Sequence, residues 1–266
     1  MMNTVNLESC ITGMQKLAAD SVDIVICDPP YNIGKDFGNT SDKQTMKDYL
    51  AFCEEWIAEG KRILKPKGTM YIYGFAKILM HLGCMVELTF DLNVEWLQWH
   101  YTNKTAPGAK FWQKSHESIL VCSKDKRPTF NRDDIRVPYE KGTIRNGGKK
   151  RAATSGRMGK KETVYTNHPG GALPRDVIKV PALSGGSGRK ERLECEDGSK
   201  HPTQKPLALC TTLIKACKLK GEPTLVVIPF AGSGAECLAC HQMEDVNYIG
   251  YEINPMYVEL CTRKVV

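Results

Sequence analysis

The sequence predicts an α/β domain built on a largely parallel sheet and interrupted by one basic insertion. Three observations carry that reading. Short β-branched apolar runs alternate with amphipathic helical segments over short loops, the pattern of strands joined by helical crossovers. A glycine-rich turn stands between one such strand and the helix after it. The formal charge of +7 is concentrated: 19 basic and 10 acidic residues lie between Lys124 and Lys200, and the remaining 18 basic and 20 acidic residues leave the rest of the chain at −2. At 266 residues, with 41% hydrophobic and 25% charged composition, the chain is long enough to bury a substantial core, and disordered, collagenous and mini-protein classes are excluded.

The elements follow in order. Ser21 to Cys27 (SVDIVIC) is a buried strand that ends at Asp28-Pro29-Pro30, because proline cannot continue a ladder. From Asp48 to Leu64, apolar residues at Tyr49, Leu50, Phe52, Cys53, Trp56, Ile57, Ile63 and Leu64 recur at helical spacing. Pro66-Lys67-Gly68 is expected to break the chain before a strand at Thr69 to Tyr73. A helix from Ala76 to Leu82 is expected to stop at Gly83, with strands at Asn93 to Tyr101 and Glu117 to Cys122. After the insertion come a helix at Pro206 to Lys218, a strand at Thr224 to Ile228, a helix at Ala235 to Met243, a strand at Asn247 to Tyr251 and a helix from Pro255.

Residues 124 to 200 differ in kind. Tracts such as NGGKKRAATSGRMGKK and LSGGSGRKER lack apolar periodicity, while YTNHPGGALPRDVIKVPAL between them reads as ordered, so the insertion is expected to be partly structured. A basic segment of this kind suits a polyanion, although Lys and Arg also serve as plain solvated surface. The opening MMNTVNLESC shows no basic region followed by an apolar one, and no stretch approaches 18 apolar residues, so a cytoplasmic chain without membrane association is expected. The 11 cysteines sit mostly in apolar runs and read as reduced, buried thiols. Cys237 and Cys240, the CxxC pair, are expected to share an inward helix face, since the neighbourhood supplies no further zinc ligands.

Two motifs carry chemistry. Phe230-Ala231-Gly232-Ser233-Gly234 follows a strand and opens a helix, where glycines let a ligand approach the backbone at the carboxyl edge of a sheet. No Gly-Lys-Ser/Thr follows, which excludes a phosphate-cradling P-loop. An acid that grips a ribose should end the next strand, and Glu252 does so 18 positions after Gly234, pointing to a nucleoside-bearing cofactor. Asp28-Pro29-Pro30-Tyr31 is more specific. Its prolines fix the backbone so that the Asp28 carboxylate and a carbonyl without a competing local donor face one crevice beside an aromatic ring. A proline turn with an Asp cap would account for a lone Asp-Pro pair but not for the tyrosine or the glycine motif.

Together with His201-Pro202-Thr203-Gln204-Lys205-Pro206, these motifs, in this order, resemble the β-class amino-methyltransferases of DNA, which use S-adenosylmethionine. The resemblance spans nearly the whole chain outside the insertion. It implies a Rossmann-like methyltransferase sheet of seven strands, mostly parallel with an antiparallel edge hairpin. It divides the chain into a catalytic half (1–123), a basic target-recognition insertion (124–200) and a cofactor-binding half (201–266). The Asp-Pro-Pro-Tyr form implies methylation of adenine N6, whereas cytosine N4 enzymes usually begin the motif with Ser or Thr. In such a site Asp28 and the Pro29 carbonyl would hold the two hydrogens of the amine and aim its lone pair at the methyl group, and Pro30 and Tyr31 would frame a flipped-out base on which Tyr31 stacks.

The resemblance places the cofactor on Phe230, Ala231, Gly232, Ser233 and Gly234, with Thr203, Gln204 and Lys205 at its amino-acid end and Glu252 and Ile253 at the ribose. Ser9, Cys10 and Asp28 complete that set, and His201 orients its loop. Candidate nucleic-acid contacts are Lys104, Lys110, Trp112, Arg145, Lys149, Lys150, Arg151, Arg175 and Arg189, mostly to phosphates. Phe111 lies in the same region, His116-Glu117 just beyond it also resembles a feature of the family, and the loop Asn32 to Gln44 has hinges suited to closing over the base. Two departures fall near the cofactor: Ile228 stands where Asp is usual, and Ser9 where many members have Asp, with Glu8 beside it. Active chemistry with weak cofactor binding is the expectation. Partners implied are double-stranded DNA and a cognate restriction endonuclease, with a homodimer as a candidate assembly. The competing readings are a cytosine N4 enzyme, an adenine enzyme acting on RNA, and a silent nucleic-acid-binding module; the intact Asp28 to Tyr31 motif weighs against the last.

Overall fold

The computed structural model describes residues 2–35, 42–103, 110–141, 148–151, 163–164, 166–183, 190–192 and 194–265. They divide into a larger unit, 1–130 with 176–266, and a smaller one, 131–175. The separately packed part is therefore narrower than the 124–200 segment marked by charge. Among the described residues, no helix is long and apolar enough to cross a membrane.

The larger unit carries an eight-stranded sheet. In chain order its elements are β1 (Thr4–Leu7), α1 (Cys10–Gln15), β2 (Val22–Cys27), α2 (Met46–Ile63), β3 (Leu64–Gly74), α3 (Ala76–Cys84), β4 (Asn93–His100) and β5 (His116–Ser123). The smaller unit contributes β6 (Lys150–Arg151) and β7 (Thr163–Val164). The larger unit resumes with β8 (Val177–Lys179), α4 (Leu207–Cys217), β9 (Thr224–Ile228), α5 (Ala235–His241), β10 (Val246–Glu252) and α6 (Pro255–Val265). The order across the sheet is β1-β10-β9-β2-β3-β5-β4-β8. From β1 to β3 all neighbours are parallel; β5 is antiparallel to both β3 and β4.

Physical causes are local and legible. Every residue of β2 is buried, as a central parallel strand covered on both faces requires. Alternation distributes β3 between the faces. Met70 and Ile72 join the core formed with α1, α2 and α3, while the Tyr71 hydroxyl reaches the Leu213 carbonyl on α4 at 3.3 Å. Helix α2 starts at Met46, two residues before the expected Asp48, because Thr45 caps it: the Thr45 Oγ1 accepts from the Asp48 N–H at 3.2 Å and donates to the Asp48 carboxylate at 2.6 Å. Its inward face is Tyr49, Cys53, Trp56, Ile57 and Ile63. Burying Trp56 and Ile57 contributes roughly 1.5–3 kcal/mol each.

Three expectations need correction, and two elements were not expected. The sheet has eight strands rather than seven, because β8, from the end of the basic segment, pairs parallel with β4 and covers the hairpin that was expected to form the edge. The short β1 and α1 had no periodic signal of their own; α1 is held by its Ser9 cap, whose Oγ accepts from the Ile11 N–H at 3.3 Å. Pro66-Lys67-Gly68 does not end the element but loops out within β3: Val22 pairs with Leu64, and Ile24 next pairs with Thr69. Gly83 does not stop α3, since it is buried in contact distance of Trp96 and Leu120. The helix runs on to Cys84 and into a single π-helical turn, Met85–Thr89.

All 11 cysteines are free thiols, and only Cys84 is exposed. Cys237 and Cys240 are both buried on α5. Within the smaller unit, Val137 bridges Ala172, the Arg136 guanidinium donates to the Gly171 carbonyl at 2.6 Å, and the Tyr139 hydroxyl accepts from the His168 N–H at 2.7 Å.

Candidate active site

Strand direction assembles the site. The parallel strands β1, β10, β9 and β2 all end at one edge of the sheet, so Ser9, Glu252, the Phe230–Gly234 turn and Asp28 stand side by side there. The antiparallel β5 begins at that same edge, where Gly74 pairs with Ser118, and so it brings Glu117 to the site. One cavity is lined by Ser9, Asp28, Phe230 to Ser233 and Glu252 together with Pro29, Pro30, Tyr31, Cys10, His201, Thr203, Gln204, Lys205, Glu236 and Ile253. The sequence-predicted catalytic and cofactor residues, apart from Gly234, stand around this single crevice, while Glu117 touches it through Tyr31 and Lys205.

At its centre the Asp28 carboxylate accepts three hydrogen bonds. The Lys205 ammonium donates to Oδ1 at 2.8 Å and to Oδ2 at 2.7 Å, and the Tyr31 hydroxyl donates to Oδ1 at 2.6 Å. A carboxylate oxygen offers about two acceptor sites, so among the described donors Oδ1 is full and Oδ2 keeps one site open. Burial raises the Asp28 pKa above the ordinary carboxylate value, and Lys205 opposes that rise. Burial works against the Lys205 charge, but the Asp28 and Glu117 carboxylates outweigh it and hold the lysine pKa above its usual value. The two groups form a salt bridge at 2.7 Å. Next to it, the Tyr49 hydroxyl donates to the Pro30 carbonyl at 2.8 Å and pins the tetrapeptide to α2.

Two placements differ from the resemblance. Lys205 lies on Asp28 and not apart from it, with its Nζ also 5.4 Å from the Tyr31 ring centre and 5.0 Å from that of Tyr73. Tyr31 is not an open platform: it is 4% exposed, packs edge-on against Phe75 at 5.1 Å and commits its hydroxyl to Asp28.

The glycine turn carries backbone conformations that side chains disfavour. Gly232 has φ of 49° and Gly234 of 73°. A Cβ on Gly232 would meet the His201 Nε2 at 2.8 Å, so the turn packs against that ring only with glycine there. The Gly232 N–H donates to Glu252 Oε2 at 2.8 Å, and the Ile253 and Asn254 N–H groups both donate to Oε1 at 2.9 Å. Glu252 Oε2 therefore retains an acceptor site at the end of β10. Phe230 packs edge-on against Trp56. Thr203 and Gln204 line the crevice, with the Gln204 amide tied to the Glu191 carbonyl at 2.8 Å. Ser9 spends its hydroxyl on capping α1, and Glu8 pairs with Lys16.

His201 is buried against Tyr257, 4.7 Å between ring centres, and its carbonyl accepts from Arg192 at 2.6 Å. Burial first, then the nearby charges of Lys205, Lys264 and Arg192, pushes its imidazole down to about 3. Unfolding exposes an imidazole that takes up a proton below about pH 6.5. The folded state therefore loses stability progressively as pH falls from about 6.5 toward 3. The expected outcome is that the melting-temperature advantage of the wild type over His201→Gln shrinks between pH 7 and pH 4; circular dichroism melts at each pH check it. A constant gap would show that His201 titrates elsewhere.

Among the candidate nucleic-acid residues, Lys110, Lys149, Lys150 and Arg175 are exposed, and Trp112 is 85% exposed beside the equally open Phe111. Arg151 lies on β6. Lys104, Arg145 and Arg189 lie outside the described residues, as does the middle of the Asn32 to Gln44 loop. The near end of that loop is tied down, since Asp42 accepts from the Ile33 and Lys35 N–H groups at 3.2 and 2.7 Å. Sequence reading gave no role to Glu117 and passed over Tyr101 and Glu236. Glu236 carried a signal, an acid in the first turn after the glycine motif. Tyr101 carried none, because its importance depends on strand pairing.

A mostly parallel sheet thus joins at its carboxyl edge a glycine turn, a strand-terminal acid and an Asp-Pro-Pro-Tyr tetrapeptide, the arrangement expected of a Rossmann-like methyltransferase. Residues 22–263 match the DNA methylase model N6_N4_Mtase, and the chain belongs to that family. It is similar to the type II methyltransferase M.HpaI of Haemophilus parainfluenzae, with 31% identity over 260 residues that cover 97% of this chain and 72% of that protein. It is 30% identical to the DNA adenine methyltransferase YhdJ of Escherichia coli K12, over 96% of this chain and 80% of the relative. Among solved structures, the PvuII cytosine-N4-specific DNA methyltransferase superposes with a TM-score of 0.70 at 15% identity, covering 99% of this chain and 88% of that one. The S-adenosylmethionine complex of M1.HpyAVI superposes with a TM-score of 0.62 at 21% identity, covering 98% of each chain. Likenesses at that level of identity concern the fold.

Proposed function

We propose that this protein transfers a methyl group from S-adenosylmethionine to the N6 amino group of a flipped-out adenine in double-stranded DNA. The observation that carries the reading is the Asp28 carboxylate at the sheet edge, salt-bridged to Lys205, with an acceptor site left on Oδ2 and the Pro29 carbonyl adjacent in the chain. An exocyclic amine is a poor nucleophile because its lone pair is delocalised into the ring. Accepting its hydrogens at Asp28 and Pro29 biases the nitrogen toward a pyramidal form, and the carboxylate stabilises positive charge that develops there. The name of YhdJ, a DNA adenine methyltransferase, supports adenine as the base.

The crevice fits the cofactor. Its acids, Glu8, Asp28, Asp42, Glu236 and Glu252, outnumber its lysine and suit a sulfonium cation, and Glu252 Oε2 offers an acceptor to a ribose hydroxyl. When bound, S-adenosylmethionine supplies an electrophilic methyl group. Phe230 and the glycine turn would line the amino-acid side, and Glu252 and Ile253 the nucleoside side. The exposed Lys110, Lys149, Lys150 and Arg175 would meet phosphates and make DNA binding salt-sensitive.

The test is incubation with labelled S-adenosylmethionine and, in separate reactions, duplex DNA or RNA, digestion to nucleosides and identification of the labelled one. N6-methyladenine is expected. N4-methylcytosine would overturn the base, label in RNA alone the substrate, and no label the enzymatic reading. Calorimetric titration of the cofactor is expected to give a Kd weaker than about 10 μM, because Ile228 is buried in β9 and the Ser9 hydroxyl is occupied. A tighter value would show that these positions do not limit affinity.

A further inference from the structure

Glu117 reaches the site from β5, which runs against the strands carrying the recognisable motifs. Its Oε1 accepts from the Tyr101 hydroxyl at 2.6 Å, which fixes the carboxylate from the end of β4. Its Oε2 lies 3.3 Å from the Tyr31 hydroxyl and 3.6 Å from the Lys205 ammonium. Those are the same two donors that fill Asp28 Oδ1. The side chains of Asp28 and Glu117 are each 14% exposed, and that of Lys205 is 2% exposed. Two carboxylates therefore share one hydroxyl and one ammonium, and the shorter contacts go to Asp28.

This sharing matters when an amine arrives. Asp28 already holds three hydrogen bonds, and a fourth from the substrate saturates it. A saturated carboxylate has little electron density left to steady charge growing on the substrate nitrogen. Relief requires Tyr31 or Lys205 to move off Asp28, and a buried ammonium or hydroxyl moves only toward another acceptor, since leaving it unpaired is costly. Glu117 is that acceptor, within an ångström of hydrogen-bond distance to both donors.

We infer that Glu117 is a positioning residue for the transfer step: clamped by Tyr101, it receives the Tyr31 hydroxyl and the Lys205 ammonium as the substrate amine takes Asp28. The part that concerns the transfer step rests on the function proposed above. The shared pairing of Lys205 is a property of the protein alone and is tested without substrate.

The first measurement is a cycle of melting temperatures for wild type, Asp28→Asn, Glu117→Gln and the double variant. Either single variant leaves Lys205 one of these two contacting carboxylates, and the double variant leaves it only the more distant charge of Glu236. The double variant is expected to lose at least about 3 °C more than the sum of the singles. Additivity within about 1 °C would overturn the inference. The second measurement is steady-state methylation by Glu117→Gln. Here kcat is expected to fall about tenfold or more with KM for DNA within about twofold, and Glu117→Asp, which keeps the charge, is expected to recover part of the loss. An unchanged kcat, or a loss confined to KM, would overturn the role in transfer. A wild type that methylates no adenine would overturn the functional reading instead, and the melting cycle would still decide the pairing.

Discussion

Asp28→Asn is expected to slow methyl transfer by about three orders of magnitude or more while leaving cofactor and DNA affinity within a few fold. The substitution keeps the shape of the side chain and removes its charge. Of the three donors on the carboxylate, Lys205 loses its nearest counter-ion and turns to Glu117, so the fold tolerates the change. The amine, by contrast, loses the anion that would steady its developing positive charge. Electrostatic groups aimed at developing charge are worth about 10²–10³ in rate, and the orientation of the amine adds to that. Asp28→Ala removes both and should abolish transfer. Single-turnover transfer to labelled duplex, with binding of each ligand measured separately, checks the separation. Substantial activity in either variant would refute the assignment of Asp28 as acceptor.

The second large effect is expected from Lys205→Met. Lys205 is the most deeply buried charge in the site, and it compensates Asp28 and Glu117 at once. Breaking a buried pair by removing one partner costs roughly 3–5 kcal/mol, because the other charge stays behind without compensation. For a chain of this size that corresponds to a fall in melting temperature of about 10 °C. Adding Asp28→Asn to Lys205→Met removes one of the stranded charges and should restore part of the loss. The activity consequence has a definite sign. Lys205 lowers the Asp28 pKa against the larger effect of burial, so its removal raises that pKa further. Transfer requires the ionised carboxylate, so the acid limb of the rate profile must move to higher pH in the variant. A limb that stays in place, or moves down, would show that Lys205 does not govern the ionisation of Asp28.

These expectations show what Lys205 does that its motif alone did not reveal. The His201 to Pro206 run marked it as a cofactor residue, and the structure sets it on the Asp28 carboxylate, in a motif 177 positions away. Tyr31 shows the same limit. Its place in the tetrapeptide was plain, but whether its ring lies open or turns inward depends on Phe75 and Lys205, neither of which is near it in the chain. Glu252 shows the opposite case. An acid ending the strand after a glycine turn must stand at the crevice edge, because parallel neighbours end on the same side of the sheet.

By itself the sequence determined the alternation of strands and helices, the two motifs at strand ends, the charged segment and the place of Asp28 at the end of its strand, because each is a matter of local spacing or of residue type at a fixed offset. Even its errors were local: Pro66 to Gly68 and Gly83 have the right chemistry to break an element, but neighbouring strands absorb the first as a bulge and packing under Trp96 and Leu120 holds the second inside a helix. Only the tertiary structure decided the eighth strand, the pairing of Asp28 with Lys205, and the presence of Glu117 and Tyr101 beside them. The physical reason is direction. An antiparallel strand starts where its parallel neighbours stop, so its first residues enter the site, and nothing in a linear pattern of residues says which way a strand will run.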